Sequence, residues 1–385
     1  MAEETVLPFP NLALPQECFV LQQPSLSHLH ASARPALLQG IKADQMTPYY
    51  RLVVAAGVLP LDQALLETLE KENAAELERL DKVLKEAEET EGESDIADAL
   101  RVKASYLTRI GEKEKAIEAQ QVALEKTAGL GSRIDIVLTL VRIGFFFGDN
   151  QLITTNLAKA DEFVEKGGDW DRRNRLKVYR GLHLLSIRQF KPASALLIDA
   201  LSTFTATELL SYNDFVSLTV ISGTLTLNRV DLKKKIISAP EVISALPELP
   251  TLADTTKNLY DCHYDKFFVA LATLEQTHLL PSRLLAPHAR FYVREMRILA
   301  YAQLLQSYSS LTLESLAHAF GVTVDFVDNE LSRFIASARL HASIDRVNGI
   351  VETNRPALKN AQTETVIRKG DVLLNSIQRL SKVLY

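Results

Sequence analysis

LESLAHAFGVTVDFVDNELSRFI, Leu313–Ile335, reads as a short helix, a tight turn and a second helix. Leu313, Leu316, Ala317 and Phe320 recur at the three- and four-residue spacing of one apolar helix face. Thr312 precedes them, where a hydroxyl can accept from an unpaired first-turn N–H. Gly321 follows, where a left-handed residue ends a helix without a Cβ clash. Thr323 caps the second helix, and Asp325 faces its positive dipole end. Along that helix Val324, Val327, Leu331, Phe334, Ile335 and Ala338 share a face. Beyond it, LHASI (340–344) and GIVET (349–353) flank a turn containing Asn348-Gly349, a pair that tolerates positive φ and favours a hairpin. Helix, turn, helix and hairpin is winged-helix order.

Many winged helices read DNA, which demands donors on the second helix and Lys or Arg for phosphates. Here the face opposite the apolar stripe carries Asp325, Asn329, Ser332 and Ala336, with no base among them. From Leu311 to Thr353 there are six acids and only three bases, Arg333, Arg339 and Arg346. That balance repels a phosphate backbone and points to protein contact, not nucleic acid.

The whole chain agrees. Its 385 residues carry a net charge of −5, too acidic for a general nucleic-acid binder. The length admits two or three domains or one long solenoid, and scarce glycine favours helices. Cys18 and Cys262 are the only cysteines, which excludes a disulfide framework and suits a reducing compartment. MAEETVLPFP lacks the basic start and apolar core of a signal peptide. No apolar run approaches the ~18 residues of a membrane span, so no membrane contact is expected.

Upstream of the winged helix the chain repeats itself. ASYLTRIGEKEKAIEAQQVALEKT, VLTLVRIGFFFGDNQLITTNLAKADEF and YRGLHLLSIRQFKPASALLIDALSTF each read as helix, turn, helix, with turns at Gly111, Gly148 and Gln189. The turns lie 37 and 41 residues apart, a little above the tetratricopeptide period of ~34. Glu67–Asp98 holds 13 acids and four bases, yet Leu69, Leu77, Leu80 and Leu84 recur through it, so an amphipathic helix is expected. Five prolines before Gln45 suggest an extended start. ETNRPALKN reads as a linker, and Gln362–Tyr385 as a last helix with Val366, Gly370, Leu373, Ile377, Leu380 and Leu384 on a coiled-coil spacing.

Catalytic and metal chemistry has little support. GxxxxGK[ST], CxxC, HExxH and GxSxG are all missing. His28 and His30 are two potential zinc ligands where three or four must converge, so no metal and no cofactor is expected. Asp261, Cys262 and His263 are consecutive and would diverge on a helix, which leaves Cys262 as a packed core thiol. GGDWDRRNRLKVYRG (167–181) sets Trp170 beside Arg172, Arg173 and Arg175. These are either a capped helix start with solvated arginines or a contact patch for an acidic partner. Leu340, Ala342 and Ile344 alternate with His341 and Ser343 along a strand expected at a sheet edge, whose spare amides could pair with another chain.

Helical repeats followed by a winged helix resemble the PCI family of scaffold subunits, found in the proteasome lid, the COP9 signalosome and the translation initiation factor three complex. RIDIVLTLVRIGFFFGDNQLI (133–153), GGDWDRRNRLKVYRGL (167–182), APHARFYVREMRILAYAQLLQSYSSLTLESLAHAFGV (286–322), ELSRFIASARLHASIDRVNGIVETNRP (330–356) and RKGDVLLNSIQRLSKVL (368–384) carry the likeness, most closely to the proteasome members. The resemblance implies a mainly α fold: a right-handed, tetratricopeptide-like solenoid ending in a winged-helix (PCI) module and a C-terminal helix. It implies an extended segment at 1–45 and helical repeats at 46–190. A PCI domain at 191–353 follows, helical over 191–308 and winged-helix over 309–353, then a linker and bundle helix at 354–385. It implies a non-enzymatic scaffold in a hetero-oligomer of the cytoplasm and nucleus. The implied partners are other PCI lid subunits, the lid's metalloprotease deubiquitinase subunits through a helical bundle, and the ATPase ring. Candidate interface residues are then Trp170, Arg172, Arg173, Arg175, Leu340, Ala342, Ser343, Ile344, Leu373, Ile377, Leu380 and Leu384. The alternatives are a signalosome scaffold and a stand-alone peptide-binding repeat adaptor.

Overall fold

The computed structural model describes residues 8–89, 92–354 and 358–384. They divide into two compact units. The first runs to Lys257 and takes in Ala270–Tyr292; the second comprises Asn258–Val269 and the chain from Val293 onward.

The first unit opens with α1 (Ala13–Gln22), α2 (His30–Ala43) and α3 (Thr47–Ala55), where an extended segment was expected up to residue 45. Residues 1–7 of that segment lie outside the described residues. Proline misleads here because it breaks helix interiors but suits first turns, where no N–H is required. Pro15 and Pro48 occupy such turns, and Pro24 begins a short 3-10 helix. Only Pro35 lies inside a helix. Leu14, Leu37, Ile41, Met46 and Tyr50 are fully buried in one cluster with Phe146, so this segment belongs to the core.

The acidic stretch forms one long helix, α4 (Gln63–Glu89). Leu69 and Leu80 are buried and its acids ride the solvated side. Buried Asn73 donates to Thr47 Oγ1 at 2.8 Å and accepts from the Tyr106 hydroxyl at 3.0 Å, so its polar atoms are satisfied inside the core.

Helical hairpins follow: α5 (Glu93–Ile110) with α6 (Lys113–Lys126), α7 (Leu130–Phe147) with α8 (Asn150–Glu165), and α9 (Trp170–Ser186) with α10 (Phe190–Asp199). Gly111 and Gly148 turn the first two pairs at φ 77° and 73°. In the third pair the left-handed residue is Arg188 at φ 66°, one position before the expected Gln189. A non-glycine residue there costs ~1–2 kcal/mol. The Arg188 guanidinium packs over Phe291 at 5.2 Å, which helps offset that cost. The unit continues with α11 (Tyr212–Thr226), α12 (Arg229–Leu232) and α13 (Pro240–Ala245), and includes the start of α14 (Pro250–Tyr260).

In the second unit Cys262 occupies another left-handed turn, at φ 62°, between α14 and α15 (Tyr264–Leu274). It is half-buried at that turn, not a core thiol, and its sulfur accepts from Gln303 Nε2 at 3.1 Å. The local hairpin geometry, not apolar packing, decides its place. Tyr301, from α16 (Ala289–Leu305), meets Phe320 at 4.5 Å, and Tyr264 stacks on Phe320 at 4.9 Å. This aromatic group forms the floor of the winged helix.

The winged helix contains α17 (Leu313–Phe320) and α18 (Val324–Ala336). Thr312 accepts from the Ser315 amide, Thr323 accepts from the Phe326 amide, and Gly321 is left-handed at φ 65°. Val327, Leu331 and Phe334 are buried. Ala338 does not extend that face: it lies beyond the helix, exposed, at φ 55°. Three strands complete the module, β1 (Ser310–Thr312), β2 (Ala342–Asp345) and β3 (Ile350–Thr353), antiparallel in the order β1-β3-β2. The short β1 lay hidden next to the Thr312 cap. The chain ends in α19 (Leu358–Leu384).

Candidate interaction surfaces

Among the described residues β2 pairs on one side only, with β3, so it is a sheet edge. Leu340 and Ala342 are buried, Ile344 is half-buried, and His341 and Ser343 are exposed, as the alternation requires. The Asn354 amide donates to the His341 carbonyl at 2.9 Å. Hydrogen-bonded pairs in an antiparallel ladder alternate with unbonded ones. Ser343, opposite Glu352, therefore bonds inward, while Ala342 and Ile344, opposite Thr353 and Val351, turn their amides outward. At the hairpin tip Asp345 accepts from the Val347 amide at 2.9 Å and from Asn348 Nδ2 at 2.7 Å. Those bonds hold its carboxyl below the ordinary range and fix a turn that displays Val347, 94% exposed.

The exposed side of α18 offers Asp325 and Asn329. Of the winged helix's three bases, Arg339 forks onto both carboxylate oxygens of Glu295, and Arg346 reaches Asp328 at 2.7 Å. Arginines already committed to carboxylates are poorly placed for phosphates. Burial raises the Glu330 carboxyl, while nearby Arg297 at 2.8 Å opposes the rise.

α19 carries the broadest apolar exposure. Leu373 is 63% exposed, with Ile377 and Leu380 similar, and no other element covers them among the described residues. The Leu384 side chain lies outside the described residues. The seam is wider than the heptad reading: Ile367, Val372 and Leu374 are also exposed. Ile367 and Leu374 stand seven residues apart beside the Val366–Leu373 row, a second stripe visible in the sequence.

At the start of α9, Trp170 is 64% exposed. The neighbouring arginines serve two ends. Arg172 forks onto Asp135 at 2.6 and 3.0 Å and also reaches Asp169, while Arg175 pairs with Asp171 at 2.9 Å. These two brace the repeat. Arg173 is exposed, leaving Trp170 and Arg173 as the free part of the patch. The α9 patch lies in the first unit, and β2 and α19 lie in the second.

The histidine pair is not assembled into a ligand set. His30 Nε2 lies 3.1 Å from the carbonyls of Val20 and Gln23, and His28 is exposed. Among the described residues no group of His, Cys, Asp and Glu is placed to hold a metal ion. No helix among them is long and apolar enough to cross a membrane.

Known proteins similar to this chain match it over nearly its whole length. The family model described as 26S proteasome subunit RPN7 matches residues 62–235. The PCI domain matches 262–355, and the C-terminal helix of 26S proteasome regulatory subunit RPN7/PSMD6 matches 364–384. The chain is 43% identical over 376 residues to the 26S proteasome non-ATPase regulatory subunit 6 homolog of Arabidopsis thaliana, covering 97% of each. It is 41% identical over 382 residues to the Dictyostelium discoideum subunit 6, covering 99% of each. To the Saccharomyces cerevisiae regulatory subunit RPN7 it is 38% identical, covering 98% of this chain and 94% of that one. With repeats, winged helix and terminal helix all matched in order, this chain belongs to the family of 26S proteasome non-ATPase regulatory subunit 6, also called RPN7.

Proposed function

We propose that this chain is a non-catalytic scaffold subunit of the proteasome regulatory-particle lid and supports ubiquitin-dependent protein degradation by holding other subunits in place. The observation that carries this reading is α19: a 27-residue helix with an apolar seam that no other element covers among the described residues. A solvated apolar seam of that length is stabilised by partner helices. The lid's metalloprotease deubiquitinase subunits and other PCI subunits supply those helices in a bundle. The spare amides of β2 receive a neighbouring PCI subunit by strand addition. Trp170 and Arg173 supply a third contact, from the first unit, to an acidic surface that includes the ATPase ring. The subunit works in the cytoplasm and nucleus, where the assembled particle does. A signalosome scaffold would share the winged helix, and a lone adaptor would need no exposed seam.

Native mass spectrometry of the tagged chain from its own cells tests the reading. The expected result is a multi-subunit particle containing further PCI subunits and the deubiquitinase. Recovery as a monomer with peptide ligands, or in a complex lacking proteasome subunits, would overturn it.

A further inference from the structure

The first unit contains a cavity of about 710 Å³, within the size range of small-ligand sites. Leu12, Phe145, Leu182, Leu209 and Leu284 contribute its apolar walls. Two charged side chains line it, and neither has an oppositely charged protein partner among the described residues. Arg283 is half-buried near Tyr49 and Cys18, and no carboxylate of the described residues lies within ion-pair distance of its guanidinium. Glu17, on α1, is also half-buried and has no hydrogen bond or ion pair among the described residues. Burial works against the charged form of both groups, lowering the Arg283 pKa and raising that of Glu17.

The arrangement is built, not incidental. The Arg283 amide donates to Gln16 Oε1 at 2.9 Å, and Gln16 Nε2 donates to the Pro281 carbonyl, which pins the segment carrying the arginine to α1. Gly148 leaves room for the guanidinium: a Cβ there would lie 3.2 Å from Arg283 Nη2. The end of α7 lends the arginine some favourable partial charge but no acceptor at hydrogen-bonding distance. The third charge on the wall, Asp214, is already engaged by the Ser211 hydroxyl at 2.7 Å. A cation with no carboxylate partner, a carboxyl that forms no ion pair with it, and apolar walls in the same cavity match a ligand with one charge of each sign and an apolar body.

We infer that this cavity binds a short apolar peptide with free termini, its carboxylate on Arg283, its ammonium on Glu17 and its side chains against the leucine and phenylalanine walls. The inference is independent of which complex the chain enters.

Isothermal titration of the full chain with the dipeptide leucyl-phenylalanine tests it, alongside the C-terminally amidated and N-acetylated forms. Saturable binding is expected, weakened about tenfold or more by either blocking group. Arg283→Gln should weaken the parent dipeptide by a similar factor yet leave the amidated form unchanged. Glu17→Gln should do the same with the acetylated form as its indifferent partner. A variant that merely disturbed folding would weaken every ligand alike, and circular dichroism reports folding directly. If Arg283→Gln does not fold, Glu17→Gln and the two blocked peptides still decide. Absence of saturable binding at millimolar dipeptide, or blocked forms that bind as well as the parent, would overturn the inference.

Discussion

The Asn354 amide donates to the His341 carbonyl at 2.9 Å, and this bond sets the phase of every amide along β2. It leaves the Ala342 N–H facing outward and turns the Ser343 N–H in toward Glu352. Ser343→Pro should therefore remove a ladder bond and cost ~1–3 kcal/mol in urea denaturation. Ala342→Pro should keep the unfolding midpoint near that of the unmodified chain while weakening capture by the adjacent PCI subunit. If Ala342→Pro folds and binds its neighbour normally, strand addition at β2 is wrong.

The seam of α19 should matter to assembly and not to the body of the chain. Leu373 and Leu380 are exposed, so a Leu373→Asp, Leu380→Asp pair should shift stability by less than about 0.5 kcal/mol. The same pair, like removal of Gln362–Tyr385, should keep the chain out of assembled lids. Sedimentation of cell extracts carrying the tagged variants would show whether mutant chains reach the large particle at the normal level.

Arg172 and Arg173 are neighbours with opposite roles. Arg172 forks onto Asp135 and is mostly buried, so Arg172→Ala should cost roughly 1.5–3 kcal/mol of stability. Arg173 is exposed, and Arg173→Ala should change stability by less than about 0.5 kcal/mol. Combined with Trp170→Ala, it should reduce capture of partner subunits. Thermal denaturation and quantitative pull-down, run on the same preparations, separate the two effects.

Burial lowers the pKa of His183, whose Nε2 lies 3.2 Å from Thr154 Oγ1 and whose Nδ1 is buried without a partner. The unfolded chain then binds a proton that the folded chain refuses. His183 thus contributes stability that is fully present above the ordinary value of 6.5 and declines as pH falls from there toward the depressed folded value. His278 is lowered for the same reason, against an opposing pull from Asp214. Stability of the first unit should fall as pH drops below 6.5, and His183→Gln should flatten that slope. An unchanged slope in urea titrations across this range would discount His183.

Gly111, Gly148 and Gly321 announced their turns by residue type, because left-handed backbone is cheap without a Cβ. Arg188, Cys262 and Ala338 sit in the same conformation and could not be found that way, since hairpin packing forces them into it. The fold of residues 13–43 was hidden for a related reason: proline counts against a helix only when its position in the helix is unknown.

Local composition by itself determined the amphipathic helices, the capped turns of the winged helix, the apolar seam at the end and the base-free face of α18 opposite its apolar stripe. Those properties belong to short spacings and to charge, which a linear chain displays openly. Tertiary structure alone decided which surfaces are free. Arg172 is set apart from Arg173 chiefly because Asp135, 37 residues upstream, reaches it. The amides of Ala342 and Ser343 face opposite ways because of the register that Asn354 imposes. Arg283 and Glu17 face the same cavity because chain folding brings distant segments together. Availability for a partner is what remains after a side chain's or amide's own neighbours have been satisfied, and those neighbours are chosen by folding over long separations.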